Sequence, residues 1–288
     1  FILGNLLSPL KLRFKEDIGR LKEETPSSEM EEVVLRTVDN VCMIIVGPKR
    51  IEDVERLLTD EVNLTLLLAA GRISKGSGFL LTNGMVVTAA HVVTDILGKQ
   101  EGNIWACTPK GDVIPLELLK YNNYYELALL RPNKRWSNGL DIVNDIDQLR
   151  TAETVFTLGY PLAYIYLHPL LSVGYVSNII KENSVLKIYL NITFNSGNSG
   201  GPVVNTNGSV IGIVHAKSIL KDPMLLKYAE ILRKPSVEIV YGELTFPDGS
   251  KMSLTLSSML LLFMKWVAIN TQTNIGIAIP AMYINQLL

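Results

Sequence analysis

Short apolar or alternating runs, separated by turn-forming residues, follow one another along most of the chain. The run "VCMIIV" at 41–46 is continuously apolar, whereas "VLKIYLNITF" at 185–194 alternates between apolar and polar residues. Runs of this length between glycine, proline and asparagine are typical of β-strands. Asn83 and Gly84 separate two further runs and predict a hairpin turn. The pattern therefore predicts a succession of strands joined by tight turns.

Helices are predicted at only a few places. Ser28, followed three residues later by Glu31, is a capping-box pattern, and the apolar spacing after it predicts an amphipathic helix that reaches Val38. The apolar positions at 51–58 indicate one or two helical turns. The next segment, "VNLTLLL" at 62–68, is interpreted as a strand.

A glycine-rich turn, "NSGNSGGP" at 195–202, lies between two of the predicted strands. Because glycine permits positive φ and close backbone approach, a serine there can expose its hydroxyl beside converging N–H groups. Acyl transfer needs this combination of a nucleophile and donors for a developing oxyanion. Ser199 is the candidate nucleophile, and the N–H groups of Gly197 and Ser199 form the candidate oxyanion hole. The alternative is an ordinary glycine-rich hairpin turn.

A second motif, "GSGFLLTNGMVVTAAHVV" at 76–93, carries His91 directly after two predicted strands. A histidine in an apolar run is by itself more often a core residue than a catalyst. Together with "GNSGGP", "ELALL" and "NIGIAIP" in the same order, however, this motif resembles the HtrA/Deg family of trypsin-like serine proteases. The resemblance covers most of residues 29–288. It implies an all-β fold of two six-stranded antiparallel barrels of the chymotrypsin type, with a short helix at each end.

The resemblance also implies a serine endopeptidase that cleaves unfolded or exposed polypeptide segments through an acyl-enzyme, without a cofactor. His91 would be the general base, and the chain order His, acid, Ser is that of chymotrypsin. Relatives carry an aspartate directly before "LALL", whereas this chain has Glu126 there. A glutamate can orient an imidazole by the same chemistry, so Glu126 is the candidate triad acid. Asp95 and Asp112 are the alternatives.

The resemblance further implies where the walls of the primary substrate pocket lie. The candidate wall residues are Thr193, Phe194, His215, Ala216 and Lys217. None of them is acidic, so a small or medium apolar side chain is expected before the scissile bond. His215 stands where many relatives have serine or threonine, close to the triad acid, and a hydrogen bond to Glu126 is one expectation.

Composition excludes several other classes of function. The chain has 288 residues, of which 48% are hydrophobic, and a formal net charge of −1. It has no run of like charges, so nothing indicates a nucleic-acid partner. Cys42 and Cys107 are either free thiols or one disulfide. The three histidines, His91, His168 and His215, are scattered along the sequence, which argues against a zinc site.

The chain is divided into an arm at 1–28, a first barrel at 29–150 and a second barrel at 151–288. An insertion at about 218–273 interrupts the second barrel beside the expected pocket. It contains a predicted hairpin and an apolar segment at 254–269, which is shorter than the roughly 20 residues that a membrane helix needs. We expect this insertion to pack on a neighbouring subunit or on the rim of its own barrel.

The resemblance implies polypeptide substrates, a role in protein quality control, and a homo-oligomer. Aromatic residues of the arm build a trimer interface in many relatives, which makes Phe1 and Phe14 candidate contacts. An extracytoplasmic or membrane-anchored location is suggested, with any anchor in a missing N-terminal segment, and the sequence ends where the family's PDZ domain would begin. The alternative function is an inactive or slow protease-fold scaffold or holdase that binds polypeptides.

Overall fold

The computed structural model describes residues 29–97, 102–161, 166–217, 240–245, 251–261, 263 and 275–288. The arm, with Phe1 and Phe14, and most of the predicted insertion lie outside these ranges. The elements of the first half are α1 (Glu29–Val38), β1 (Val41–Val46), α2 (Ile51–Leu57), α3 (Glu61–Ala69), β2 (Ser74–Leu80), β3 (Val86–Ala89), α4 (Ala90–Leu97), β4 (Ile104–Cys107), β5 (Val113–Asn122) and β6 (Leu127–Pro132). Those of the second half are a 3-10 turn (Ile146–Gln148), β7 (Thr154–Gly159), β8 (Leu170–Glu182), β9 (Val185–Leu190), β10 (Pro202–Asn205), β11 (Val210–Lys217), β12 (Val240–Thr245), β13 (Lys251–Thr255), β14 (Gly276–Pro280) and a closing 3-10 helix (Ala281–Gln286).

Two closed barrels of six antiparallel strands each form the body of the molecule, which confirms the predicted fold class. The strand order is β1-β2-β3-β6-β5-β4 in the first barrel and β10-β11-β14-β9-β8-β7 in the second. The predicted turn at Asn83 and Gly84 connects β2 and β3, with Gly84 at φ 85° and the Asn83 side chain accepting the Met85 N–H. Strands β12 and β13 pair as the hairpin predicted within the insertion.

The prediction of a strand at 62–68 is wrong, because this segment lies in helix α3. Asp60 caps the helix by accepting the Asn63 N–H at 3.0 Å, which stabilises a helix start. Leu64 and Leu67 are buried while Val62 is 69% exposed, so burial follows the helical period rather than the alternation seen in the sequence. No helix within the described ranges is long and apolar enough to cross a bilayer.

Every residue of β1 is buried, because its two faces belong to two different clusters. The odd-numbered residues of β1 pack in a cluster that also contains Phe156 and Leu158 of the second barrel. The even-numbered residues pack with Val92 and Val93 of α4 inside the first barrel. The continuous apolar run at 41–46 therefore reflects a strand that faces the barrel interior on one side and the contact between the barrels on the other.

The two cysteines are free and buried. Burial raises the pKa of Cys107 to about 12 and raises that of Cys42 well above its ordinary value. Both side chains are therefore protonated at neutral pH. Since the thiolate is the reactive form of cysteine, these residues act as small apolar core residues here.

Lys75 of β2 places a buried amino group at the contact between the barrels. The residue is 8% exposed, and its Nζ donates to the carbonyls of Tyr160 at 3.1 Å and Pro161 at 3.4 Å. Burial lowers the pKa of Lys75 from 10.5 to about 7, against the opposing influence of Cys107. Lys75 thus joins β2 to the chain that leaves β7.

The substitution Lys75→Met should weaken the dependence of stability on pH. The folded lysine releases its proton near pH 7 and the unfolded one only near 10.5. The unfolded state therefore binds more protons between these values, and the free energy of unfolding of the parent rises with pH there. We expect the rise between pH 7 and pH 9 to be smaller by about 2 kcal/mol in Lys75→Met, as measured by urea unfolding.

Lys181, exposed on β8, offers the matched control for this measurement. The substitution Lys181→Met should leave the pH dependence of the parent intact. If Lys75→Met and the parent gained the same stability between the two pH values, the ammonium of Lys75 would not be the titrating group.

Candidate active site

His91 and Glu126 meet at the surface of the first barrel. His91 lies in the first turn of α4, and its Nδ1 is 3.1 Å from Glu126 Oε2, which also accepts the main-chain N–H of His91 at 3.3 Å. The alternative acids lie elsewhere: Asp95 is exposed on α4, and Asp112 pairs with Lys134 at 3.2 Å. Of the three candidates, Glu126 is therefore the carboxylate that contacts the imidazole.

The backbone of Glu126 is in the left-handed region, with φ 57°. This conformation is uncommon outside glycine and costs roughly 1–2 kcal/mol. Two features hold it in place. The carbonyl of Glu126 accepts the N–H of Ala90 at 3.0 Å, and the next residue, Leu127, pairs with Ala89 across β3 and β6. These main-chain hydrogen bonds fix the backbone at Glu126, and this backbone conformation directs the carboxylate toward His91.

The charge of Glu126 is favoured by its surroundings. Burial alone would raise the pKa of Glu126, but the hydrogen bond from His91 and the proximity of His91 and His215 hold it below its ordinary value. The carboxylate is therefore ionised at neutral pH. An ionised carboxylate at Nδ1 keeps that nitrogen protonated and leaves Nε2 of His91 as the proton acceptor.

Ser199 directly follows a four-residue β-turn at 195–198. A hydrogen bond of 3.0 Å from the Asn198 N–H to the Asn195 carbonyl closes this turn. Gly197 stands third in this turn with φ 96°, the conformation that a type II turn requires. In the described part of the chain, the N–H groups of Gly197 and Ser199 donate to no other residue. The Ser199 hydroxyl donates to the His215 carbonyl at 3.2 Å and makes no hydrogen bond to His91 there.

Gly200, directly after the candidate nucleophile, allows the turn to approach the first barrel. Its φ is 87°, and a Cβ at this position would lie 2.2 Å from both the Ser77 carbonyl and Thr88 Oγ1. No larger residue fits between these atoms. The glycine is therefore required by backbone conformation and by close approach at once.

Ser77, a functional residue that the sequence analysis did not single out, connects the turn to β2 and β7. It is completely buried, and its N–H donates to the Ser199 carbonyl at 2.8 Å. Its hydroxyl donates to the Gly197 carbonyl at 2.8 Å and accepts the Tyr160 N–H at 2.9 Å. Its own carbonyl accepts the Thr88 hydroxyl at 2.7 Å. The only sequence signal was the small-residue run "GSG" at 76–78.

His215 of β11 lies beside the pair of His91 and Glu126. The two imidazole centroids are 6.3 Å apart in an edge-on arrangement. Among the described residues His215 makes no hydrogen bond to Glu126, and its Nδ1 is buried without a partner. Burial lowers the pKa of His215, partly opposed by the charge of Glu126. Two of the three histidines that are scattered in the sequence are therefore close in space.

The remaining candidate pocket residues lie on the second barrel. Thr193 is half-buried, whereas Phe194 is 1% exposed and belongs to the core of that barrel. The ring of Phe194 lies against Gly276 of β14, where a Cβ would come within 2.6 Å of it. The backbone of Ala216 and Lys217 pairs with the same strand, and their side chains lie outside the described part of the structure.

Replacing Ser77 by alanine should destabilise the protein through the Ser199 turn. Ser77→Ala leaves the Gly197 carbonyl and the Tyr160 N–H without their shared hydrogen-bond partner. Each buried group left without a hydrogen bond lowers the free energy of unfolding by about 1–3 kcal/mol. Urea unfolding should show a loss of free energy of that order. Ser74→Ala, on the same strand, is the control, and an equal loss in both variants would contradict this role of Ser77.

Comparisons with known proteins show what this chain is similar to. A family model described as a trypsin-like peptidase domain matches residues 76–213. Serine protease HTRA3 of Rattus norvegicus is 30% identical over 155 residues, covering 49% of this chain and 32% of the relative. The mitochondrial serine protease HTRA2 of Drosophila erecta is 33% identical over 153 residues, covering 49% and 34%. The chain thus spans about a third of the length of these relatives.

The solved structure of an HtrA-type protease, AlgW with a tripeptide, has the same fold. It superposes with a TM-score of 0.55 at 17% identity, covering 91% of this chain and 62% of the other. Residues 76–213 thus match a trypsin-like peptidase domain, about half of the chain is similar in sequence to HtrA serine proteases, and the two six-stranded barrels have the fold of an HtrA-type protease.

Proposed function

We propose that this chain is a serine endopeptidase in which Ser199, His91 and Glu126 form the catalytic triad. The observation that carries the proposal is the contact between His91 Nδ1 and an ionised Glu126, next to a turn that presents Ser199. An imidazole oriented in this way is the general base that a serine nucleophile needs. The same contact favours an enzyme over an inactive scaffold or holdase, because polypeptide binding alone does not require it.

The proposed reaction proceeds through an acyl-enzyme. Nε2 of His91 takes the proton of the Ser199 hydroxyl as its Oγ attacks the substrate carbonyl. The N–H groups of Gly197 and Ser199 donate to the oxyanion, and His91 then protonates the leaving amine. Water repeats the sequence and releases the acyl group. The Ser199 hydroxyl must first turn from the His215 carbonyl toward His91, and such tightening of contacts on substrate binding is common.

The substrates that we propose are unfolded or exposed polypeptide segments with a small or medium apolar residue before the scissile bond. The support for this preference is the composition of the candidate pocket. Thr193 is half-buried and offers a hydroxyl, Phe194 is buried in the barrel core, and no candidate residue brings a carboxylate that would attract a basic side chain.

The substitution Ser199→Ala should abolish hydrolysis of an unfolded protein such as casein. Removing the nucleophile of a serine protease costs on the order of a millionfold in turnover. Ser196→Ala, which alters an exposed serine of the same turn, should retain cleavage. Undiminished cleavage by Ser199→Ala would refute the assignment of the nucleophile.

The parent enzyme should cleave after small or medium apolar residues. Mass spectrometry of its products should show Val, Ala or Leu before the cut sites. A dominant preference for Lys, Arg or Glu before the cut sites would refute the assignment of the pocket residues.

Two substitutions at Glu126 should distinguish the effect of the carboxylate charge from the effect of side-chain length. Glu126→Gln keeps the shape but no longer favours the Nδ1–H tautomer of His91, so kcat should fall by up to roughly ten-thousandfold. Glu126→Asp keeps the charge and should retain more activity than Glu126→Gln, although its shorter side chain must reach from the same backbone position. Peptide hydrolysis measures both, with Glu117→Gln, an exposed glutamate of β5, as the control. Parent-like activity in Glu126→Gln would mean that another group orients His91.

A further inference from the structure

Three side chains with metal-binding atoms converge at the active site. His91, Glu126 and His215 each offer one ligand atom, and these atoms lie within 4.8 Å of one another. They come from the start of α4, the residue before β6 and the end of β11. Two imidazoles with one carboxylate form a donor set that zinc uses in enzymes, with the fourth position left open.

The distances require little rearrangement. Ligands of a tetrahedral zinc ion lie about 2.0–2.2 Å from the metal and so roughly 3.4 Å from each other. His91 Nδ1 and Glu126 Oε2 are already 3.1 Å apart. No hydrogen bond to a described residue fixes the ring of His215, whose Nδ1 is buried without a partner. The ligand atom of His215 lies within 4.8 Å of the other two, so the movement that the site requires is a rotation of this unrestrained ring.

We propose that this chain binds a divalent transition-metal ion, zinc above all, through His91, Glu126 and His215, and that the bound ion inhibits the peptidase. The donor set favours transition metals such as zinc over magnesium and calcium, because imidazole suits transition metals whereas magnesium and calcium prefer oxygen ligands. An ion on Nδ1 of His91 takes the place of the proton that faces Glu126, and the ring proton then lies on Nε2. Nε2 can no longer accept the Ser199 proton, so hydrolysis stops. Metal binding is inferred from the arrangement of the three side chains alone, whereas the inhibition rests on the proposed peptidase function.

The test of binding uses the 288-residue chain carrying Ser199→Ala, which removes turnover from the measurement. Isothermal titration with zinc at neutral pH should show one saturable site. Adding His215→Ser should weaken the affinity at least roughly hundredfold, since losing even an outer-shell partner of a ligand costs about 10–100-fold. His168→Asn is the matched control, a histidine outside the cluster, and should bind zinc as the parent does. Magnesium in excess should not compete.

Glu126→Gln, again with Ser199→Ala, removes a second ligand by an independent route and should weaken binding as well. Circular dichroism confirms that each variant is folded. The absence of saturable zinc binding would overturn the proposal, and so would an affinity that is unchanged in both His215→Ser and Glu126→Gln. If zinc binds as expected while the enzyme with intact Ser199 shows no hydrolysis at all, the metal site stands and the proposed peptidase function fails.

Discussion

The hydrogen bonds of Ser77 hold the rest of the active site in position. This single buried serine contacts the turn on both sides of Asn198, through the carbonyls of Gly197 and Ser199, and also holds the end of β7 at Tyr160. The histidine and the acid belong to the first barrel and the nucleophile turn to the second. The geometry of any triad therefore depends on how the barrels are joined, and Ser77 joins them beside the candidate nucleophile. The glycines at 76 and 200 provide the space for this approach, since a Cβ at 76 would lie 3.0 Å from the Ser199 carbonyl and one at 200 would lie 2.2 Å from the Ser77 carbonyl.

The glutamate at position 126, where the resemblance to HtrA/Deg proteases implies an aspartate, is accommodated by the backbone as well as by the side chain. Glu126 adopts a left-handed conformation that β-sheet pairing and the Ala90 N–H maintain. From that position Oε2 reaches both the ring and the main chain of His91. The neighbouring His215 adds a second imidazole next to the same carboxylate. The pair that is proposed to activate the nucleophile thus also belongs to the proposed metal-binding site, and the two roles exclude each other.

The two-barrel fold was predicted from the resemblance to HtrA/Deg proteases, and the motifs that carry this resemblance meet backbone requirements of that fold. The glycines of "GSGF" and "GNSGGP" are required for close approach and for positive φ, and a pattern of required glycines is specific. The strand predicted at 62–68 was wrong because alternating leucines also satisfy a helical face once Asp60 caps the helix. The position of His215 near the triad acid was predicted from the resemblance, whereas the expected hydrogen bond to Glu126 is absent among the described residues. The ring of His215 instead lies edge-on to that of His91, with the centroids 6.3 Å apart.

The central claim is that Ser199 is activated by the pair of His91 and Glu126. A fluorophosphonate probe tests it most directly, because such a probe reacts with serines whose hydroxyl has a functioning general base. The account predicts a covalent adduct that mass spectrometry locates on Ser199, and its loss in a folded His91→Ala variant. If the folded parent chain remains unlabelled, or if labelling of Ser199 is as fast without His91, the proposed triad is contradicted.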